Sequence, residues 1–246
     1  MGRYFLEVAY KGTAYSGFQV QENANTIQAE IEKAFLTVQR VPVILTGSSR
    51  TDAGVHALQN FFHFDFPEAL HHQLLYKMNA ILPKDIVVKS LSPMADTAHS
   101  RFDATSREYE YRIYQTKNPF LTDFALYYPY KVDMELMSKA ADLISSKTNF
   151  FAFSKTNTQV NNFNCVIYES RWVQKDGLYI YSIKGNRFLR GMVRLLTASM
   201  LMVGRGKWNT EDLENLFQSK AEKCRVSISA QGLYLVRVHF AENFFT

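Results

Sequence analysis

Gly47-Ser48-Ser49-Arg50-Thr51-Asp52-Ala53-Gly54-Val55-His56-Ala57 is a loop between two strand patterns, and its place decides how the first part of the chain is read. Residues 43–46 before it read as a strand, and the apolar, aromatic run 61–66 after it reads as another. One carboxylate, Asp52, stands two residues after the Arg50 guanidinium, with small residues just behind it. A cation that close favours the ionised carboxylate. An ionised carboxylate is what nucleophilic attack or proton abstraction requires. Two plainer roles use the same residues: an Asx-turn or helix cap for Asp52 beside Gly54, and a structural ion pair for Arg50.

Outward from this loop, strand and helix patterns alternate irregularly, which predicts a mixed α/β (α+β) fold. On the N-terminal side residues 3–10 alternate, with Tyr4, Leu6, Val8 and Tyr10 on one face. Gly12 and Gly17 mark a loop. Asn25 with Gln28 three residues on predicts a capping box, and Ile27, Ile31, Ala34, Phe35 and Val38 recur at helical spacing before Pro42. On the C-terminal side Leu70, Leu74, Leu75, Met78 and Ile81 predict a helix stopped by Pro83, then a short strand over 85–91. From about residue 100 a similar order returns. A strand over 107–115 puts Tyr109, Tyr111 and Ile113 on one face; a helix follows over 134–144. Strands 168–173 and 178–183 flank the turn Lys175-Asp176-Gly177. Helices are expected over 186–203 and 210–217, the second with Thr210, Glu211 and Asp212 at its start, and a strand over 233–240. This suggests two lobes, 1–100 with the Asp52 loop and 101–246 with the tyrosine strand and a basic helix, without a residue-level repeat between them.

The 246 residues are 47% apolar and 21% charged, the balance of a globular chain rather than a disordered one, and long enough for one large or two modest domains. A net charge of +5 favours a polyanionic partner. Nineteen Phe and 14 Tyr fit either a well-filled core or stacking on bases. Two distant cysteines, Cys165 and Cys224, argue against a disulfide framework and suit a reducing compartment. Glu7 and Lys11 interrupt any apolar signal segment. No uncharged apolar run approaches the roughly 20 residues of a membrane helix, so a cytoplasmic location without membrane attachment is expected. A phosphate loop, a full G-x-G-x-x-G and a G-x-S-x-G elbow are missing, and two distant cysteines with no histidines paired at ligand spacing argue against a zinc site. The adjacent His71 and His72 would diverge on a helix and read as surface.

Arg187, Arg190 and Arg194, spaced by three and four, share one face of the helix expected over 186–203, with Phe188 among them and Leu189, Met192, Val193 and Leu196 on other faces. Such a face is either solvated or a ridge against phosphates. Arg205 and Lys207 extend the positive charge, and one of these arginines could instead turn toward Asp52. For Tyr111 core packing is the favoured role, whereas a tyrosine facing a cleft, Tyr109, could stack on a base and offer its hydroxyl. On these residues alone three classes stay open: an enzyme acting on RNA, a non-catalytic RNA-binding protein, and a hydrolase using Asp52 as nucleophile.

These motifs resemble the tRNA pseudouridine synthase A family over nearly the whole chain. Tyr10-Lys11-Gly12-Thr13-Ala14-Tyr15-Ser16-Gly17-Phe18-Gln19 and Thr26-Ile27-Gln28 resemble its opening motif, and Arg50-Thr51-Asp52-Ala53-Gly54-Val55-His56-Ala57 its long, specific signature. Leu82-Pro83 with Asp85-Ile86, Arg101-Phe102 with Arg107, Tyr109 and Tyr111, Phe188-Leu189 with Met192-Val193-Arg194 and Val203-Gly204, and Gly232-Leu233-Tyr234-Leu235 are similar to the later motifs. This chain differs in carrying hydroxyls at Ser48 and Ser49, Ala98-His99-Ser100-Arg101 where the family has an aromatic-His-Ala-Arg run, and Ile228-Ser229-Ala230-Gln231 without a proline. The resemblance implies a pseudouridine synthase fold with two similar lobes, each a mainly antiparallel sheet flanked by helices, around a central basic cleft, and a homodimer. It implies isomerisation of uridine to pseudouridine at positions 38, 39 and 40 of the tRNA anticodon stem-loop, without cofactor or metal. By the same resemblance Asp52 is the essential catalytic aspartate, Tyr109 lies against the uracil, Arg194 holds the carboxylate, and Arg50 helps turn the nucleotide out and fill its place. Arg187, Arg190, Arg205 and Lys207 are then the expected RNA contacts.

Overall fold

The computed structural model describes residues 2–155, 161–219 and 221–245. The chain is mixed α/β and divides into two compact units: Met1–Thr105 with Tyr234–Thr246, and Ser106–Leu233. Nearly all of the final strand thus groups with the first unit. His56 and Ala57 lie beside Tyr234 and Leu235 in a parallel bridge, the His56 and Tyr234 rings stack at 4.6 Å, and the Val238 amide donates to Gln59 Oε1 at 3.1 Å. A terminal alternating pattern gives no sign of which unit it joins.

In the first unit, β1 (Gly2–Tyr10) runs antiparallel to both β3 (His56–Phe66) and β4 (Ile86–Met94). The far edge of β3 takes β2 (Thr46–Gly47) near His63 and β9 (Leu233–His239) near His56. The expected strand over 43–46 is therefore only the two-residue β2, while β3 starts five residues before the run 61–66 expected for it. Alternation buries Leu6, Val8 and Tyr10 on one side of β1; Phe5, on the other, meets Phe240, Phe244 and Phe245 with ring centroids 5.6–6.0 Å away. Helix α1 (Ile27–Gln39) buries Ile27, Ile31, Ala34 and Phe35. Its cap is Thr26, whose hydroxyl accepts from Ala29 N, not Asn25. Gln28 is not part of a capping box: its amide donates to the Leu45 carbonyl and to Glu32. Helix α2 (Leu74–Ile81) begins after His71 and His72, so those rings do not diverge on a helix but stack at 4.6 Å in the turn before it.

In the second unit, β5 (Ser106–Tyr114), β8 (Leu178–Gly185) and β7 (Ile167–Lys175) form an antiparallel sheet in that order, with β6 (Leu126–Tyr127) parallel to the end of β5. The turn joining β7 to β8 has positive φ at Asp176 (50°) and Gly177 (76°), the backbone that Asp-Gly hairpins favour. Helix α3 (Met134–Ser145) packs on β7 and on α4 (Met192–Gly204). Gly204 makes the second packing possible: a Cβ there would stand 2.5 Å from Met137 Cγ. Tyr111, Tyr181, Ile183, Met137, Ile144, Leu196 and Met200 are fully buried around this junction. Helix α5 (Thr210–Gln218) carries a reciprocal cap between Asn209 and Asp212. None of the helices among the described residues is long and apolar enough to cross a membrane.

Candidate active site

Asp52 sits half-buried at the start of a turn closed by Val55 N donating to the Asp52 carbonyl at 3.2 Å, with Gly54 at φ 79°. The backbone is held from both sides. Phe18 N donates to the Thr51 carbonyl at 3.1 Å, and Gly54 N donates to the Tyr15 carbonyl at 3.3 Å. These contacts need the chain of residues 12–18 pressed against the loop. A Cβ at Gly12 would come within 2.0 Å of the Val55 carbonyl oxygen, and Gly17 turns at φ 105° beside the Thr51 carbonyl. Gly12 N donates to His56 Nδ1 at 3.2 Å, so that ring nitrogen carries no proton.

Below the loop lies a buried polar chain. Asn60 Nδ2 donates to the Ser49 carbonyl at 2.9 Å and to the Tyr10 hydroxyl oxygen at 3.2 Å. The Tyr10 and Thr51 hydroxyls are 2.8 Å apart. Asn60 is fully buried, and Tyr10 and Thr51 nearly so. Satisfied polar groups in a low-dielectric interior fix a unique geometry, and these three grip the backbone on both sides of Arg50. By contrast, the Ser48 and Ser49 hydroxyls are buried and find no hydrogen-bond partner among the described residues. Arg50 is exposed and makes no ion pair among the described residues. The structural ion pair open for it on sequence is therefore not formed, and its guanidinium stays available to an anion.

In the second unit, Tyr109 lies half-buried on β5 opposite Ile183, with its ring edge-to-face on Phe188 (5.1 Å, 79°). Tyr111, two residues on, is fully buried and donates to the Ser229 carbonyl at 2.8 Å, so it is a packing residue as expected. Sequence spacing grouped Phe188 with the arginines; it belongs instead with Tyr109 as a ring that fixes the tyrosine.

The shared helical face of Arg187, Arg190 and Arg194 does not form. Helix α4 starts at Met192, with Gly191 as its cap in the left-handed region at φ 74°. Residues 186–191 are drawn off by tertiary hydrogen bonds: Asn186 N donates to the Val166 carbonyl at 3.0 Å, and Lys155 N to the Arg190 carbonyl at 3.2 Å. Arg187 and Arg190 thus stand on the loop entering α4, half-buried and exposed respectively, and only Arg194 is helical. Arg194 is half-buried and donates from Nε to the Ile228 carbonyl at 2.7 Å. Past the end of α4, the Arg205 guanidinium lies 3.8 Å over the Tyr130 ring, a cation–π contact, and Lys207 is exposed.

Other reactive groups are quiet. Burial pushes the Cys165 thiol up to about 11 and raises that of Cys224 as well, so neither is a ready thiolate. Among the described residues no group of three or more His, Cys, Asp or Glu side chains could hold a metal ion. What the first unit offers is one carboxylate on a fixed loop with an exposed arginine two residues before it, and what the second offers is a braced tyrosine and several arginines.

Comparison with known proteins gives the family. The family model described as tRNA pseudouridine synthase matches residues 147–241. Over its full length the chain is 38% identical to a tRNA pseudouridine synthase A of Parabacteroides distasonis, covering 98% of that protein. It is 39% identical to the one of Porphyromonas gingivalis, with all of both chains covered, and 38% identical to that of an Exiguobacterium species, with 98% of both covered. Full-length identity at this level, with the Asp52 loop built as described, establishes that the chain belongs to the tRNA pseudouridine synthase A family.

Proposed function

We propose that this chain isomerises uridine to pseudouridine in tRNA, at positions 38, 39 and 40 of the anticodon stem-loop, with Asp52 as the essential acid. The full-length similarity to relatives named tRNA pseudouridine synthase A carries the reading. The reaction breaks the C1′–N1 bond and joins C1′ to C5 of the same uracil. The C5 proton is lost and N1 gains one, so atoms balance without any redox partner. An ionised carboxylate at the ribose, attacking C1′ or removing a ribose proton, starts it, and the freed ring has to be held while it turns. Asp52 suits the first task because its loop is gripped on both sides and cannot drift. Tyr109, braced by Phe188, is assigned to the face of the uracil. Extruding a stacked nucleotide costs about a few kcal/mol; Arg50, exposed and without an ion pair among the described residues, is assigned to filling its place, and Arg194 to supplying counter-charge for the anionic chemistry. Arg187, Arg190, Arg205 and Lys207 are assigned to phosphates, whose neutralisation offsets the cost of extrusion. A homodimer acting in the cytoplasm completes the reading.

The test is Asp52→Asn, which keeps size and removes the charge. Carbodiimide labelling of incubated tRNA should show pseudouridine with the wild type and none with the variant, while tRNA affinity stays within about threefold. Pseudouridine formed by Asp52→Asn would sink the assignment, and release of free uracil by the wild type would make the protein a hydrolase.

A further inference from the structure

The motif Arg101-Phe102 has no part in the chemistry above, yet it is held in an unusual way. Phe102 is 74% exposed. A phenylalanine on a slack loop would fold onto the surface to leave water; here the backbone prevents it. His99 N donates to Asp103 Oδ2 at 2.7 Å, Asp103 N returns to the His99 carbonyl at 3.1 Å, and Arg101 N and Phe102 N both point at His99 Nδ1, at 3.1 and 3.3 Å. Arg3 Nη1 donates to the Ala98 carbonyl at 2.8 Å. The fully buried Ser100 donates from Oγ to the Thr46 carbonyl at 3.0 Å and sits 2.9 Å from His63 Nδ1. Thr46 is in β2, the strand that leads directly into the Asp52 loop. The Phe102 ring is backed by the His99 ring at 4.1 Å, and the Arg101 guanidinium carbon lies 5.8 Å from its centroid.

We propose that the 99–103 loop is a second RNA contact of this enzyme, in which Phe102 stacks on an unpaired tRNA base and Arg101 takes a neighbouring phosphate. A rigidly presented aromatic face next to a guanidinium is the combination that binds single-stranded nucleic acid irrespective of base identity. The basic balance of the chain suits the same partner. Anchoring to β2 gives this contact a fixed position relative to the Asp52 loop within the first unit. The proposal rests on the reading of the chain as a tRNA-modifying enzyme.

The experiment measures binding of an unmodified tRNA transcript by fluorescence anisotropy across a salt series, together with pseudouridine formation, for the wild-type chain, Phe102→Ala, Phe102→Trp, Phe102→Leu and Arg101→Ala. Exposed as it is, Phe102 should be replaceable without loss of folding, which unchanged melting temperatures verify. Phe102→Ala is expected to weaken binding about tenfold with an unchanged salt slope, Trp to restore it, and Leu to restore it poorly, since a π-face rather than apolar area is what counts. Arg101→Ala should lower the salt slope by about one. Wild-type affinity in Phe102→Ala, or equal rescue by Leu and Trp, overturns the proposal while leaving the enzyme reading intact, provided the wild type binds tRNA and forms pseudouridine. Failure of the wild type to do either overturns both. A change of sedimentation behaviour in Phe102→Ala without a change in RNA affinity assigns the ring to a protein contact and overturns the proposal too.

Discussion

Asn60→Ala tests whether the polar chain under the Asp52 loop positions the carboxylate or merely fills space. The side chain is fully buried and makes three hydrogen bonds: to the Ser49 carbonyl at 2.9 Å, to the Tyr10 hydroxyl at 3.2 Å, and from Phe61 N at 2.9 Å. Truncation leaves the Ser49 carbonyl and one lone pair of Tyr10 without a donor in a site water does not reach. At about 1–3 kcal/mol for each of the two buried groups so abandoned, the variant should lose about 2–6 kcal/mol in urea denaturation. The functional effect is separable from that loss. Ser49 is three residues from Asp52, and a shift of about 1 Å at a reacting group can cost about a hundredfold in rate. Single-turnover pseudouridine formation with enzyme in excess, at a temperature where the variant is folded, should therefore slow at least tenfold, with tRNA affinity within about twofold of wild type. Thr51→Val provides the matched control, since it keeps the shape and removes only the Thr51 partner of Tyr10; it should slow turnover in the same direction with a smaller stability loss. A variant that is destabilised as calculated but turns over at the wild-type rate would refute the reasoning: the loop would then owe its position to residues 12–18 alone.

Three further outcomes follow from individual contacts. Tyr109→Phe keeps the edge-to-face contact with Phe188 and loses the hydroxyl; tRNA affinity should hold within about twofold while turnover falls about tenfold or more, and wild-type turnover would confine Tyr109 to stacking. Ser48→Ala removes a buried hydroxyl that has no partner among the described residues, so urea denaturation should show a change between zero and a gain of about 1 kcal/mol; a loss of 1 kcal/mol or more would reveal a partner for that hydroxyl. His63, only 6% exposed, has its imidazole pushed down to about 4, first by burial and then by its neighbours His99 and Arg3. The folded state thus binds fewer protons than the unfolded chain between the ordinary value of 6.5 and about 4. Stability is full above the unfolded value and falls as pH drops through that window, by about 3 kcal/mol at 1.36 kcal/mol per unit; His63→Asn should flatten this stretch of the urea-midpoint profile, and an unchanged slope would discount the burial of His63 as its cause.

The elements read correctly from sequence are those whose cause is local. Alternation places β1 and β5, and Asp176-Gly177 supplies the two positive φ angles of the β7–β8 hairpin. The misread elements are those where a distant backbone group competes. The apolar spacing of Leu189, Met192, Val193 and Leu196 continues a helical period back through Asn186, but the Val166 and Lys155 backbones claim Asn186 and Arg190, and Gly191 turns left-handed, so the helix starts late and the arginine ridge dissolves. In the same way Asn25 and Gln28 have the spacing of a capping box, yet Gln28 satisfies the Leu45 carbonyl across the first unit and Thr26 takes the cap.

The candidate site divides along the same line. Asp52 and Arg50 are visible because they are neighbours in sequence; Tyr10 and Asn60 are not, because Tyr10 meets Thr51 across 41 positions and Asn60 stands just before the run 61–66, where nothing local marks it as part of β3. Gly12 and Gly17 read only as loop markers, since the requirement they meet is the proximity of Val55 and Thr51 rather than any turn of their own sequence. The opening motif around residues 10–19 and the signature around 50–57 are thus not two sites but the two faces of one structure. The first supplies the glycines and carbonyls that receive the second, and the second carries the acid. A Cβ at Gly12 would drive the Val55 carbonyl away and open the turn that begins at Asp52, although Gly12 itself carries no group that could touch a substrate.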